Sequence, residues 1–175
     1  MNLTPGLRRL ALTAHVGSSV GWLGAVAGFL ALAVAGVMSE DAETVRGAYL
    51  LMEMTGWFVL VPLSLASLCT GLVSSVGTTW GLFRHYWVVV KLLINIAATS
   101  ILLLYMQTLG QLAAQVRRAG IDADVEALRS PSPVLHAGAA LVLLLAATTL
   151  AVYKPRGLTR YGWRKQIEQR SVAQP

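Results

Sequence analysis

Four apolar stretches, at about 10–37, 48–73, 86–108 and 133–153, dominate this chain. A bilayer core about 30 Å thick takes roughly 20 helical residues to cross. Because lipid offers no hydrogen bonds to the backbone, such a run must be a helix or part of a closed barrel. Each stretch is long enough, so the sequence predicts an all-α fold, a four-transmembrane-helix bundle, over residues 1–160, followed by a basic tail at 161–175. The balance of the chain agrees: 55% of its 175 residues are hydrophobic and 13% charged, too apolar for an ordinary soluble domain. Arg8 and Arg9 before the first run resemble the start of a signal peptide, but the run far exceeds the roughly 7–15 apolar residues of such a segment. It reads as a span.

The net charge of +6 comes from 14 Lys and Arg against 8 Asp and Glu. Nucleic acid is not the expected partner, since the basic residues lie between long apolar runs rather than on a soluble face. Their distribution instead sets orientation. Arg8, Arg9, Arg84, Lys91, Lys154, Arg156, Arg160, Arg164, Lys165 and Arg170 fall at one set of span ends, and Arg46, Arg117, Arg118 and Arg129 at the other. The positive-inside rule then puts both termini in the cytoplasm, in a cell (plasma) membrane protein with the 38–47 and 109–132 connections outside. Among the acids, Glu168 alone lies on the basic side. The longer connection predicts a helical extension of the third span and a short interfacial helix that includes Val125 and Leu128. The tail mixes Tyr161 and Trp163 with Arg160, Arg164 and Lys165, a pattern suited to anionic headgroups. The single cysteine, Cys69, excludes an internal disulfide. There is no phosphate-cradling glycine loop and no zinc or triad spacing, so function must reside within the bundle or at its ends.

Ionisable groups in hydrocarbon are costly, and their default reading is functional. Four stand out: His15, Glu53, Lys91 and His136. At 1.5 Å per residue, His15 and Lys91 each lie roughly 8 Å inside the basic end of their spans, so they can share a site. Glu53 and His136 belong to the opposite leaflet. On the first span, His15, Ser18, Ser19, Trp22 and Phe29 share one arc at 100° per residue, and Gly17, Gly21, Gly24 and Gly28 the opposite one. That glycine face suits close helix packing, a homodimer included, or approach by a flat cofactor or lipid tail. On the third span Arg84, Lys91, Asn95, Thr99 and Met106 fall near one face. Lys91 either snorkels to the interface or joins Arg84 in holding an anionic group beside His15, which itself is either a satisfied buried imidazole or a ligand. His85 at the mouth reads as solvated. On the second span Glu53, Trp57, Ser64, Ser67 and Gly71 line up, and Pro62 predicts a kink by freeing the carbonyl of Phe58. Met52, Met54, Met106 and His136, with Glu53, supply donors that suit copper or haem iron, although methionines at helical spacing also serve as packing. Glu53 can alternatively be a protonated buried acid.

The stretch Leu12-Thr-Ala-His15-Val-Gly-Ser-Ser-Val-Gly-Trp22-Leu-Gly24 resembles the first-span signature of a broad bacterial family of small membrane proteins. That family includes CopD-type copper-resistance domains and HemJ-type protoporphyrinogen oxidases. Thr70-Gly71-Leu72 and Tyr86-Trp87-Val-Val-Val-Lys91-Leu-Leu resemble its Gly-Leu and Trp-x-x-x-Lys-Leu segments, and His136 is similar to a fourth-span position. The likeness covers about 15–108 and is greatest to actinobacterial integral membrane proteins of the group. It implies a b-type haem with functional roles for His15 and Lys91, possession of a haem-dependent oxidoreductase activity, and an electron partner. Phe29, Leu30 and Ala31 stand where HemJ-type proteins carry Pro-Arg and a later His, and Tyr105-Met106 replaces Tyr-His. The expected reading is therefore haem b near the cytoplasmic side, held by His15, Trp22, Arg84, Lys91 and Asn95. The alternatives are a copper-binding or copper-transport protein that uses His136, Met106, Met52, Met54 and Glu53, and a scaffold in which the polar residues fix helix register.

Overall fold

The computed structural model describes residues 4–76, 82–119, 129–155 and 157–172. They form α1 (Pro5–Met38), α2 (Ala42–Thr55), a π-helical turn (Gly56–Leu60), α3 (Val61–Val76), α4 (Tyr86–Arg118), α5 (Ser132–Tyr153) and α6 (Arg160–Val172). α1, the continuous α2–α3 rod, α4 and α5 are the four helices long and apolar enough to cross a membrane. The chain is thus an all-α bundle of multi-pass membrane type. With 33 residues, α4 is about 50 Å long and its last turns run past any 30 Å core, forming the extension expected of the third span. The interfacial helix expected around Val125 and Leu128 lies outside the described residues.

Local chemistry places the helix ends. Thr4 accepts from the backbone N–H of Leu7, and Pro5 sits where a helix has no use for a proline N–H. Asp41 accepts from Thr44 N at 2.9 Å and from the Thr44 hydroxyl, and these bonds hold its carboxyl below its ordinary range. Just before Pro62 the second span departs from a regular α-helix. The helix widens over Gly56–Leu60, where the N–H of Val61 reaches back five residues to the Gly56 carbonyl. A π turn inserts about one residue of phase, roughly 100°, into a helix. Trp57 therefore turns outward and is half exposed, while Ser64 and Ser67 are buried, so the single face expected from Glu53 to Gly71 is broken at this point.

α1 packs between the α2–α3 rod and α5, and α4 fills the same kind of position opposite, so α1 and α4 face each other across the diagonal of the bundle. Trp22, Val26, Phe29 and Ala33 of α1 meet Tyr49, Met52, Leu60, Met106 and Leu109 in one contiguous core. The polar-aromatic arc of α1 faces inward, and its glycine arc faces out. A Cβ added at Gly17, Gly24 or Gly28 would meet nothing within 4 Å, and one at Gly21 would touch only Leu63. The glycines that admit a neighbour are others: Gly36 receives Tyr49 and Gly56 receives Met106.

The two ends are tied differently. At the acidic end Arg129 donates to the Ser39 carbonyl at 2.7 Å, and the Ser130 N–H donates to Tyr49 Oη at 2.8 Å. At the basic end the tail folds back on the 82–86 segment. His85 and Leu158 form an isolated β-bridge, Thr159 N donates to the Arg84 carbonyl at 3.1 Å, and the Thr159 hydroxyl caps Gly162 N at 3.1 Å. Gly162 makes this possible, because a Cβ there would lie 2.3 Å from the Arg84 carbonyl oxygen. Replacing Gly162 with Val is expected to detach α6 while leaving the bundle folded. Limited proteolysis would cut the variant near Thr159 at least tenfold faster than the parent, and equal rates would contradict the clamp.

Candidate functional site

The diagonal between α1 and α4 is not filled at the basic end. There Ser67, Gly71, Ser74 and Ser75 of α3 present small side chains, and a cavity of about 510 Å³ opens between the four spans. Its apolar walls include Leu12, Val16, Leu68, Trp87, Val88 and Leu92; its polar groups are Arg8, His15, Lys91, Asn95 and Lys154. Such a volume lies within the roughly 300–1,000 Å³ usual for small-molecule sites.

His15 is the best-oriented of these groups. Its Nδ1 lies 3.1 Å from the Ser67 carbonyl oxygen and 3.3 Å from Thr70 Oγ1. A carbonyl oxygen only accepts, so Nδ1 carries the proton. Thr70 is consistent with this, because its own hydroxyl donates to the Ala66 carbonyl at 2.6 Å and leaves its oxygen free to accept. In the uncharged ring Nε2 is then a bare lone pair, the tautomer of an imidazole prepared for a metal or a proton. Gly71 provides the room: an added Cβ would stand 3.0 Å from His15 Cε1.

Beneath the imidazole lies a polar layer. Ser18 donates to the His15 carbonyl, Ser19 and Ser67 share a hydrogen bond of 2.8 Å, and Asn95 Nδ2 donates to Ser67 Oγ at 3.2 Å. Asn95 Oδ1 and Ser74 Oγ are buried on the cavity wall without a protein partner. Three cations from three elements surround the space. Arg8 comes from the first turn of α1, Lys91 from α4, and Lys154 from the end of α5. The Lys91 ammonium lies 5.8 Å from the Trp87 ring centroid, within cation–π range. Lys154 adopts the left-handed conformation, with φ 43°, the one non-glycine residue with positive φ among those described. That conformation costs roughly 1–2 kcal/mol for a side-chain-bearing residue. Lys154 is the C-cap of α5, its N–H bonded to the Leu150 carbonyl at 3.1 Å ahead of Pro155, and helices commonly end in this conformation.

The structure therefore brings His15, Lys91 and Asn95 together and adds Arg8 and Lys154, which the sequence shows only as orientation signals. It leaves out two expected members. Trp22 lines a separate apolar cavity beyond the serine layer. Arg84 precedes α4, is not on the wall of the 510 Å³ cavity, and uses its carbonyl to hold Thr159. His85 caps α4, with its ring 6.4 Å from that of Trp87.

The outer set expected to hold copper is divided between core and surface. Glu53 is paired with Arg117. Met52 is fully buried and Met54 is exposed, as two positions about 200° apart on a helix require. Met106 lies against Gly56, and His136 stacks on Tyr105. Among the described residues no three His, Cys, Asp or Glu side chains form a group able to hold a metal ion.

Comparison of the chain with protein-family models, curated proteins and solved structures gives no match.

The two kinds of glycine make a direct test of the site. Gly71→Ala is expected to press on His15 and lower thermal stability in detergent. Gly17→Ala and Gly24→Ala, in open space, are expected to be neutral or to gain about 0.5–1 kcal/mol from helix propensity. Equal effects at all three positions would contradict the packing of His15 on Gly71.

Proposed function

We propose that the basic-end cavity binds haem b in a plasma-membrane protein whose basic end faces the cytoplasm. The observation that carries this reading is the imidazole of His15, tied through Nδ1 to the Ser67 carbonyl on the wall of a cavity ringed by Arg8, Lys91 and Lys154. The donor set fits the group. An axial histidine of haem commonly donates its other ring proton to a carbonyl, which fixes its orientation and raises its basicity. The macrocycle is flat and apolar, as are Leu12, Val16, Leu68 and Leu92 of the walls, and its two carboxylates match cations at the mouth. The likeness of the His15 to Gly24 and Trp87 to Lys91 segments to haem-binding relatives points the same way.

Bound haem supplies one-electron redox chemistry. The chain's own residues would each do something narrower. Ser67 and Thr70 orient His15; Lys154, Lys91 and Arg8 neutralise carboxylates; Asn95, which donates to Ser67 Oγ, braces the serine layer. Among the described cavity residues His15 is the one imidazole, thiol or thioether, so it is the residue that would hold the iron. An electron partner remains part of the proposal. The copper reading has less support, because Met54 and His136 are exposed while Met52 and Met106 are buried in the core.

Protein purified gently and supplied with haem is expected to show a Soret band at one haem per chain. His15→Ala is expected to abolish it. Arg8→Gln, Lys91→Met and Lys154→Gly are each expected to weaken affinity about tenfold, the order of one charge-assisted contact. Lys154→Gly has a second readout, since it relieves the left-handed strain and is expected to raise thermal stability of the haem-free protein. A colourless protein that takes up no added haem would end this reading.

A further inference from the structure

A second cavity, of about 100 Å³, lies beyond the serine layer between α1, α4 and α5. Trp22 and Phe29 form its inner wall, and Tyr105 and His136 stand at its acidic-end edge. It is open toward the outside of the bundle between α4 and α5, where Ile101 and Ala139 are exposed. On a membrane helix that opening faces lipid.

The cavity is apolar apart from one edge, and the chemistry of that edge is defined. His136 Nδ1 lies 2.9 Å from the Ser132 carbonyl oxygen, one turn back on α5. As with His15, a carbonyl partner assigns the proton to Nδ1, so Nε2 of the uncharged ring is an acceptor. The ring is also held by its face: it stacks on Tyr105 with centroids 4.0 Å apart and planes 18° from parallel. Tyr105 is fixed in turn by its hydroxyl, which donates to Ser132 Oγ at 3.3 Å. An imidazole held on edge and face at the rim of an aromatic slot, with one ring nitrogen left to accept, is arranged for a guest with one hydrogen-bond donor and a flat apolar body. An apolar cavity of about 150 Å³ accommodates benzene. At about 100 Å³ the enclosed part of the slot is smaller than that, so a ring would sit partly in the opening, with its tail running out between α4 and α5.

We propose that this slot binds the ring of a membrane-soluble hydroquinone, whose O–H donates to His136 Nε2. The class follows from the site. A charged guest would have no counter-ion there, an aliphatic lipid would leave the oriented nitrogen without a donor, and a soluble phenol would not approach through lipid. The proposal is independent of the haem reading, because it uses a different cavity and none of the basic-end residues.

The test uses the full chain in nanodiscs, titrated anaerobically with a hydroquinone bearing a ten-carbon tail. The readout is quenching of Trp22 fluorescence, identified by its loss in Trp22→Phe. Saturable binding is expected, with the oxidised quinone, which lacks the O–H, at least tenfold weaker. His136→Phe keeps the stack on Tyr105 but not the acceptor and is expected to cost at least tenfold in affinity. Ala140→Leu, which fills the slot, is expected to abolish binding, and His15→Ala to leave it unchanged. Absence of saturable binding to the parent chain, or affinity unaltered by both His136→Phe and Ala140→Leu, would overturn the proposal.

Discussion

One hydrogen bond between two spans organises the basic half of this molecule: His15 Nδ1–H to the carbonyl of Ser67. It joins α1 to α3, the rod against which α1 packs most extensively. The bond sets the tautomer, and through the tautomer the chemistry. In water such a bond contributes about 1 kcal/mol, since water competes for both partners. In hydrocarbon the unmade alternative is an imidazole N–H with no acceptor, so the cost of breaking it is the greater consideration. Gly71 and the run of serines on α3 follow from this bond, because a ring held against a helix needs a place without side chains.

Charge then separates the bundle into two halves. The cavity at one end collects Arg8, Lys91 and Lys154 with no carboxylate on its wall, whereas at the other end Arg117 is neutralised by Glu53. Like charges brought together around apolar walls repel one another and remain together only if the fold or a guest compensates. The left-handed backbone at Lys154 and the unsatisfied Asn95 Oδ1 are costs at the same place. These costs lie around the larger, cation-lined cavity, whereas the second cavity, toward the acidic end, is small and apolar.

Apolar length makes the four spans legible in the sequence, and helical phase makes the inward face of α1 legible, since Ser18, Trp22 and Phe29 are all buried. The common depth of His15 and Lys91 follows from simple rise per residue. What could not be read depends on neighbours or on breaks in phase. The π turn at Gly56–Leu60 rotates Trp57 away from Ser64, and a regular 100° wheel has no term for an inserted residue. Glycine spacing marks a smooth face on α1 but not what it meets, and here the packed glycines are Gly36, Gly56 and Gly71. Arg8 and Lys154 read as topological signals because their reach into the cavity is fixed by where helices end. Arg84 and Trp22 had the right residue type at nearly the right depth, yet a loop position and the serine layer separate them from the site. The tail clamp hides in Gly162, whose need is visible only once Arg84 is beside it.

The most direct test of the account is solid-state NMR of the chain labelled with ¹⁵N-histidine in lipid bilayers, with His15 assigned by its absence in His15→Ala. The account requires a protonated Nδ1 and an unprotonated Nε2 in the neutral ring, and a change in the Nε2 resonance when haem is added. A proton on Nε2 with Nδ1 bare would contradict it, because the Ser67 carbonyl would then have no donor and the nitrogen offered to the cavity would no longer be a ligand.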